Sequence, residues 1–292
     1  MKSIAGLVGI YEKSLSPFRT WQEAFTSAAL SGFDFFEMSL DESAERMSRL
    51  EWSGAERVKV RRASESAGVT IGALALSAHR AFPMGSVDRW RRRRSLELAR
   101  QAVDLAADLG APIVQLAGYF TFYEEDHPDA RRLFIDGLAV TAEHAKERGV
   151  RLSIENVDGN DVINLEQAIS LIEDSGTRDT TGLYVDVGNL AGNGFDIIEQ
   201  LKLGWPMVDA IQLKDTRRAE FRRVPFGEGL VPWGDVFAFL RQRLYSGPVS
   251  IEMWNDDGDP TLARNALNWL KAHGLSEILE TSAEVRANSA LA

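Results

Sequence analysis

Strand-like and helix-like segments alternate eight times along the 292-residue chain, and only a few architectures accept that rhythm. The pattern predicts strands over 4–10, 33–38, 70–76, 113–118, 150–156, 182–187, 208–214 and 248–253. Helices are predicted over 20–30, 54–67, 88–109, 128–148, 165–174, 195–203, 233–244 and 260–273. Asp88 and Pro128-Asp129 read as helix starts. Gly68, Gly110 and Gly149 each follow a helical run just before a strand, where a left-handed C′ residue belongs. A doubly wound sheet would open on a glycine fingerprint after its first strand, and Gly6, Gly9 and the following Tyr11-Glu12-Lys13 do not form one. The expectation is an α/β chain folded as a single (β/α)8 TIM barrel across 1–292, with the barrel over about 4–273 and a packed or frayed tail over about 274–292.

Four of these strands carry polar residues in phase. Val150-Arg151-Leu152-Ser153-Ile154-Glu155 alternates apolar with polar and ends on a carboxylate. Leu183-Tyr184-Val185-Asp186, Ala210-Ile211-Gln212-Leu213 and Val249-Ser250-Ile251-Glu252 repeat the arrangement. Buried parallel strands normally read as near-continuous Val, Ile and Leu, so inward Arg151, Ser153 and Glu155 need an interior that tolerates polar groups, such as a barrel mouth. Taken singly, each polar residue is equally a strand-end cap or a turn former. Together, Glu155, Asp186, Gln212 and Glu252 form an oxygen-rich set suited to a hard or borderline divalent cation. TIM-barrel active sites lie where the strands stop, which adds Tyr11, Glu12, Glu37, Ser77 to Arg80, Gln115, Tyr119, Asn189, Lys214, Arg217 and Trp254 as residues placed to meet a ligand. Gly188 either opens space for that ligand or serves a plain turn. His79, of four histidines the one that follows a strand end, is open to substrate contact or to a structural hydrogen bond.

Composition narrows the chemistry. A formal charge of −10 opposes the electrostatic term that dominates nucleic-acid affinity. The absence of cysteine removes disulfides, thiolate metal sites and a cysteine nucleophile, and no Gly-x-Ser-x-Gly elbow supports serine–histidine catalysis. With no signal-peptide pattern and no run of 18 apolar residues, the reading is a soluble cytoplasmic protein without a membrane segment. The run Arg91 to Arg94 spirals round its helix and reads as a solvated face, and the aromatic residues read mostly as core.

The runs Gly9-Ile10-Tyr11-Glu12-Lys13, Phe36-Glu37-Met38-Ser39, Leu76-Ser77-Ala78-His79-Arg80, Gln115-Leu116-Ala117-Gly118-Tyr119, Asp186-Val187-Gly188-Asn189-Leu190, Lys214-Asp215-Thr216, Pro225-Phe226-Gly227-Glu228-Gly229 and Ile251-Glu252-Met253-Trp254 closely resemble the L-ribulose-5-phosphate 3-epimerases, also called L-xylulose-5-phosphate 3-epimerases. The resemblance spans nearly the whole chain and places it in the xylose isomerase-like TIM barrel group. It implies a divalent metal held by Glu155, Asp186, Gln212 and Glu252. That family usually has histidine where this chain has Gln212, and hydroxypyruvate isomerases of the same group resemble this chain in having glutamine there. A glutamine oxygen still ligates Mg²⁺ or Mn²⁺ but removes the one nitrogen ligand, which favours Mn²⁺ or Mg²⁺ over Zn²⁺. The segment Asn156-Val157-Asp158-Gly159-Asn160 also departs from the epimerase pattern.

The expected activity is C3 epimerisation of a ketopentose 5-phosphate, L-xylulose 5-phosphate to L-ribulose 5-phosphate, through a cis-enediolate, in an enzyme that pairs as a homo-oligomer, a dimer. The alternatives are a 3-epimerase of unphosphorylated ketoses, a hydroxypyruvate-type isomerase, and a sugar-phosphate-binding barrel that has lost catalysis. Strand spacing and tilt put the ends of strands five and eight on the order of 13 Å apart across the mouth. Glutamate side chains reaching roughly 4 to 5 Å leave room for about one sugar carbon between Glu155 and Glu252, as two acid/bases on opposite faces would require. Arg80, Lys214, Arg217, Arg222 and Arg223 all stand on or near strand-end loops as phosphate contacts, with backbone N–H groups around Gly227 and Gly229 as the alternative.

Overall fold

The computed structural model describes residues 3–291, with side chains described up to Ala283, so the end of the expected tail lies outside the described residues. Eight parallel strands close into a barrel: β1 Val8–Tyr11, β2 Phe35–Leu40, β3 Thr70–Leu76, β4 Ile113–Ala117, β5 Arg151–Glu155, β6 Thr181–Asp186, β7 Val208–Leu213 and β10 Val249–Ile251, which returns to β1. Two further strands, β8 Asp215–Arg217 and β9 Glu220–Val224, form an antiparallel hairpin outside the barrel, in the connection that follows β7. The α/β class and the closed eight-stranded barrel are those expected from the alternation. No helix among the described residues is long and apolar enough to cross a membrane.

The helices form where the sequence pattern places them. α1 Trp21–Ser31 and α3 Gly54–Ala67 each open on a capping box, Thr20 with Glu23 and Ser53 with Glu56. α4 Arg89–Leu109 is capped by Asp88 and buries Leu98, Ala102, Leu105 and Leu109, one stripe of a 3.6-residue period. Its first turns carry Arg91, Arg93 and Arg94, paired at the surface with Glu124, Glu97 and Glu51. Gly110 closes α4 at φ +80°, and Gly68 and Gly149 close α3 and α5 (Ala130–Arg148) the same way, conformations that a Cβ disfavours.

The barrel interior is layered. Phe35, Ala73, Ile113, Tyr184 and Ala210 fill its lower part. A Cβ on Gly9 or Gly72 would fall 2.1 or 2.3 Å from the Phe35 ring, so the two neighbouring strands supply glycine where the ring lies across them. At the same end, Asp209 accepts Arg151 Nε at 3.0 Å and Ser153 Oγ at 2.6 Å. Arg151 and Ser153, two inward polar residues of β5, are thus satisfied below the mouth.

The hairpin rests on a short tether. Thr216 O accepts Leu230 N at 2.8 Å. Asp215 Oδ2 accepts Gly227 N at 2.8 Å, Gly229 N at 3.3 Å and Trp233 Nε1 at 3.0 Å, while Oδ1 accepts Val231 N at 3.3 Å. The chain leaves the barrel at Asp215 and is pinned to the same carboxylate on its return. Besides the hairpin, the expected pattern lacks the short helices α2 Ala44–Ser48 and α7 Val187–Gly192 and a last helix, α11 Ser276–Leu291, reached through Gly274 at φ +125°. Leu275 and Ile278 are buried at its start.

Candidate active site

Parallel pairing fixes the height of each strand-end group. Gln212 lies level with Asp186 on β6 and with Ser250 on β10, and Glu155 lies level with Tyr184 on β6. Glu252 is one residue past the β10 ladder, yet its N–H still bonds Leu213 O at 3.0 Å. This stagger brings together one carboxylate oxygen each from Glu155, Asp186 and Glu252, all within 4.8 Å of one another. The buried Gln212 amide stands beside them, its Oε1 accepting Gln115 Nε2 at 3.4 Å. A carbonyl oxygen has a second lone pair, so that bond orients the amide without using up its acceptor capacity.

Asp186 is held from three sides. It caps α7, its Oδ1 accepting Asn189 N at 2.8 Å. Asn156 locks its backbone, donating Nδ2 to Asp186 O and accepting Asp186 N, both at 2.9 Å. Lys214 Nζ lies 2.7 Å from Asp186 Oδ2 and 2.9 Å from Glu252 Oε2. Burial raises the Asp186 and Glu155 carboxyls above their ordinary range, and the negative charge of Glu252 adds to it at both. Burial works against the Lys214 ammonium, but Asp186, Glu252 and Glu155 outweigh it and hold its pKa above the ordinary value. With all three acids ionised, three carboxylates face one ammonium. The two uncompensated negative charges, with an amide oxygen beside them, fit a hard divalent cation.

The cluster lies in a solvent-open pocket at the barrel mouth. Tyr11, Arg80, Gln115, Asn189, Lys214 and Trp254, all singled out from sequence, line it. Three buried polar atoms on its lining residues have no partner: Arg80 Nε, Asn189 Oδ1 and Trp254 Nε1. Gly188, between Asp186 and Asn189, leaves room for protein and not for a ligand, since a Cβ there would sit 2.5 Å from Lys214 O.

Three expected contacts lie elsewhere. His79 is buried and does not line the pocket; its Nε2 lies 3.4 Å from Ser95 O in α4, its Nδ1 has no partner, and burial lowers its pKa to about 4. Arg217 faces away, bonding Glu228 O at 3.1 Å and the Glu220 and Glu228 carboxylates. Glu37 lies below the pocket, where its Oε2 accepts Ser250 Oγ at 2.6 Å and its Oε1 has no partner. Glu12, also at a strand end, is consumed by a buried bidentate pair with Arg49 and by Ser39 N. Asp158 joins the pocket from the loop after β5, and Arg222 from β9 of the hairpin.

Glu37 gives a pH signature. Burial, with Glu252 adding negative charge, pushes its pKa from near 4.5 up to about 8. Folded Glu37 therefore keeps a proton that the unfolded chain releases. Its contribution to stability is fully present below pH 4.5 and is lost as pH rises toward 8, by at most about 1.4 kcal/mol per pH unit. Glu37→Gln removes that slope, so the variant gains stability relative to the parent between pH 5 and 8. Denaturant titrations across the interval check this; parallel stability curves would refute it.

The sequence profile of the xylose isomerase-like TIM barrels matches residues 25–273. L-ribulose-5-phosphate 3-epimerase UlaE of Escherichia coli O157:H7 is 39% identical over 267 residues, 91% of this chain and 94% of that protein, and the Shigella flexneri protein of the same name matches equally. Among solved structures, a D-psicose 3-epimerase in the presence of D-fructose aligns with TM-score 0.77 over 91% of this chain and 99% of that one, at 17% identity. An L-ribulose 3-epimerase aligns with TM-score 0.72 over 98% and 97%, at 20% identity. At such identities the solved structures speak for the fold alone.

Proposed function

Because the chain belongs to the L-ribulose-5-phosphate 3-epimerase family of xylose isomerase-like TIM barrels and is an enzyme of the isomerase class, we propose that it interconverts L-xylulose 5-phosphate and L-ribulose 5-phosphate by inverting C3. The observation that carries this reading is the trio Glu155, Asp186 and Glu252 within 4.8 Å at the barrel mouth. With Gln212 they would hold a divalent ion, whose contribution when bound is positive charge beside the ketone and its neighbouring hydroxyl. Glu155, on β5, and Glu252, beyond β10, come from strands three places apart round the ring and face a common centre. One removes the C3 proton and the other returns a proton to the opposite face. Lys214 steadies Glu252 and Asp186, and Asn189 Oδ1 offers an unused acceptor to a sugar hydroxyl.

Chelation tests the metal. Turnover is expected to fall at least about 100-fold in chelator and to return with Mn²⁺ or Mg²⁺ more readily than with Zn²⁺, because four oxygen donors suit the harder ions. Gln212→His places a nitrogen among them and shifts the preference toward Zn²⁺. Full activity in protein stripped of divalent ions, shown by elemental analysis, would overturn the metal requirement.

A further inference from the structure

Beneath the acids the barrel interior is polar, where layers of such barrels are mostly Val, Ile and Leu. Glu37 of β2, Tyr184 of β6 and Ser250 of β10 are buried there. Glu37 Oε2 accepts Ser250 Oγ at 2.6 Å, and the Tyr184 hydroxyl hydrogen-bonds to both groups. Ser250 lies two residues before Glu252 and Tyr184 two before Asp186, and residues two apart on a strand share a face. The three groups therefore stand on the inner wall under those two acids. Strand β1 separates β2 from β10, and the residue it sets level with Ser250 is Gly9, so at that height no β1 side chain comes between them.

Folding alone gives no reason for this cluster. Replacing buried hydrogen-bonded partners by apolar groups of the same shape is nearly neutral or stabilising, and Glu37 leaves its Oε1 buried without a partner, which costs stability. What the cluster supplies is a tie across the barrel. The β10 ladder has three residues, and Glu252 lies one residue past it. We propose that Glu37, Ser250 and Tyr184 form a brace that sets the positions of Glu252 and Asp186, with Glu37 as a positioning residue for both the divalent ion and the C3 inversion. The inference rests on the reading of the site as an ion-assisted 3-epimerase. Through the brace the two acids are held by their own strands as well as by Lys214. Reach selects the residue type, since glutamate spans from β2 past β1 and aspartate is one methylene short. Burial raises the Glu37 carboxyl to about 8, so at neutral pH it braces the site without adding a fourth negative charge beneath the three acids.

The test measures Mn²⁺ affinity by calorimetry on chelator-stripped protein, and kcat and KM for L-xylulose 5-phosphate, in the parent and in Glu37→Gln, Glu37→Asp, Glu37→Leu and Ser250→Ala. Glutamine keeps the length, the neutral state and an acceptor for Ser250, so both Mn²⁺ affinity and kcat should stay within about threefold of the parent. Aspartate keeps the acid and loses the reach, leucine loses the acceptor, and Ser250→Ala loses the donor. Each should weaken Mn²⁺ binding and lower kcat by about 10- to 100-fold, the usual cost of losing a partner that orients metal-holding side chains, with KM changed by less than about threefold. Because Glu37 and Ser250 act as one unit, combining Glu37→Leu with Ser250→Ala should cost no more than either change alone. Ser250→Ala removes a single oxygen and keeps the fold, which unchanged thermal unfolding would verify. An active aspartate variant beside an inactive glutamine one would overturn the brace, as would variants that bind Mn²⁺ and turn over like the parent. A parent inactive on L-xylulose 5-phosphate overturns the substrate reading alone, since the Mn²⁺ series still decides the brace.

Discussion

Glu155→Gln and Glu252→Gln are each expected to abolish epimerisation, by about 10³-fold or more, and turnover of the parent enzyme in D₂O is expected to place deuterium at C3 and none at C1. Inversion needs a base on one face of the carbon and an acid on the other. Loss of either group stops the reaction rather than slowing it by the smaller factor typical of a helper, since general acid–base contributions run about 10² to 10⁴ each. One carboxylate oxygen from each glutamate lies within 4.8 Å of the other, so both side chains reach the same spot at the barrel mouth. Both substitutions keep side-chain volume, so a loss of activity with unchanged thermal unfolding is a chemical effect. An aldose–ketose isomerase with one base returns the proton on the same face and moves the carbonyl. Label at C1, or near-normal activity in either variant, would refute the two-base mechanism.

Lys214→Met is expected to lower the unfolding temperature of chelator-treated protein by roughly 6 to 20 °C, with part of the loss recovered on adding Mn²⁺. Nζ lies between Asp186 and Glu252 at 2.7 and 2.9 Å, and all three groups are buried. Removing one partner of a buried ion pair costs about 3–5 kcal/mol because the remaining charges keep their desolvation penalty and lose its compensation. For a chain of this size each kcal/mol is worth roughly 2–4 °C. A divalent ion that binds only the folded protein restores about 2.7 kcal/mol at a hundredfold excess over its dissociation constant. Unfolding scans with and without ion check both halves. An unchanged midpoint in chelator would show that the ammonium does not compensate the acids.

Strand ends were legible because parallel strands buried on both sides leave few reasons for a charge, and Glu155, Asp186 and Glu252 stand out against Ile154, Val185 and Ile251. Depth was not. Sequence alone ends β2 at residue 38, which puts Glu37 at the mouth. The ladder runs on to Leu40, so Glu37 sits mid-strand and faces Ser250 instead of the pocket. Its height depends on the stagger between neighbouring strands, which residue pattern does not encode. His79 follows a strand end as expected, but the single turn over Ala78–Arg80 rotates it onto α4 while Arg80 enters the pocket. The β8–β9 hairpin escaped notice because Arg217, Glu220, Arg222 and Arg223 show no apolar alternation. Its turn also uses Ala219 at φ +61°, and Arg223 adopts φ +63° within β9, where glycine would have marked them.

Because Asp215 pins residues 227, 229, 231 and 233, and Thr216 O meets Leu230 N, the hairpin's two feet are joined independently of what lies between them. Once the feet are joined, changing the length of the intervening loop adds little closure entropy. Residues 217–224 thus behave as a cassette, separable from Glu155 and Asp186 at the ends of β5 and β6 and from Glu252 beyond β10. Exchanging this insert alters the Arg222 side of the pocket and leaves the strand-end acids in place. Libraries aimed at new substrates should concentrate there and leave Asp215 untouched.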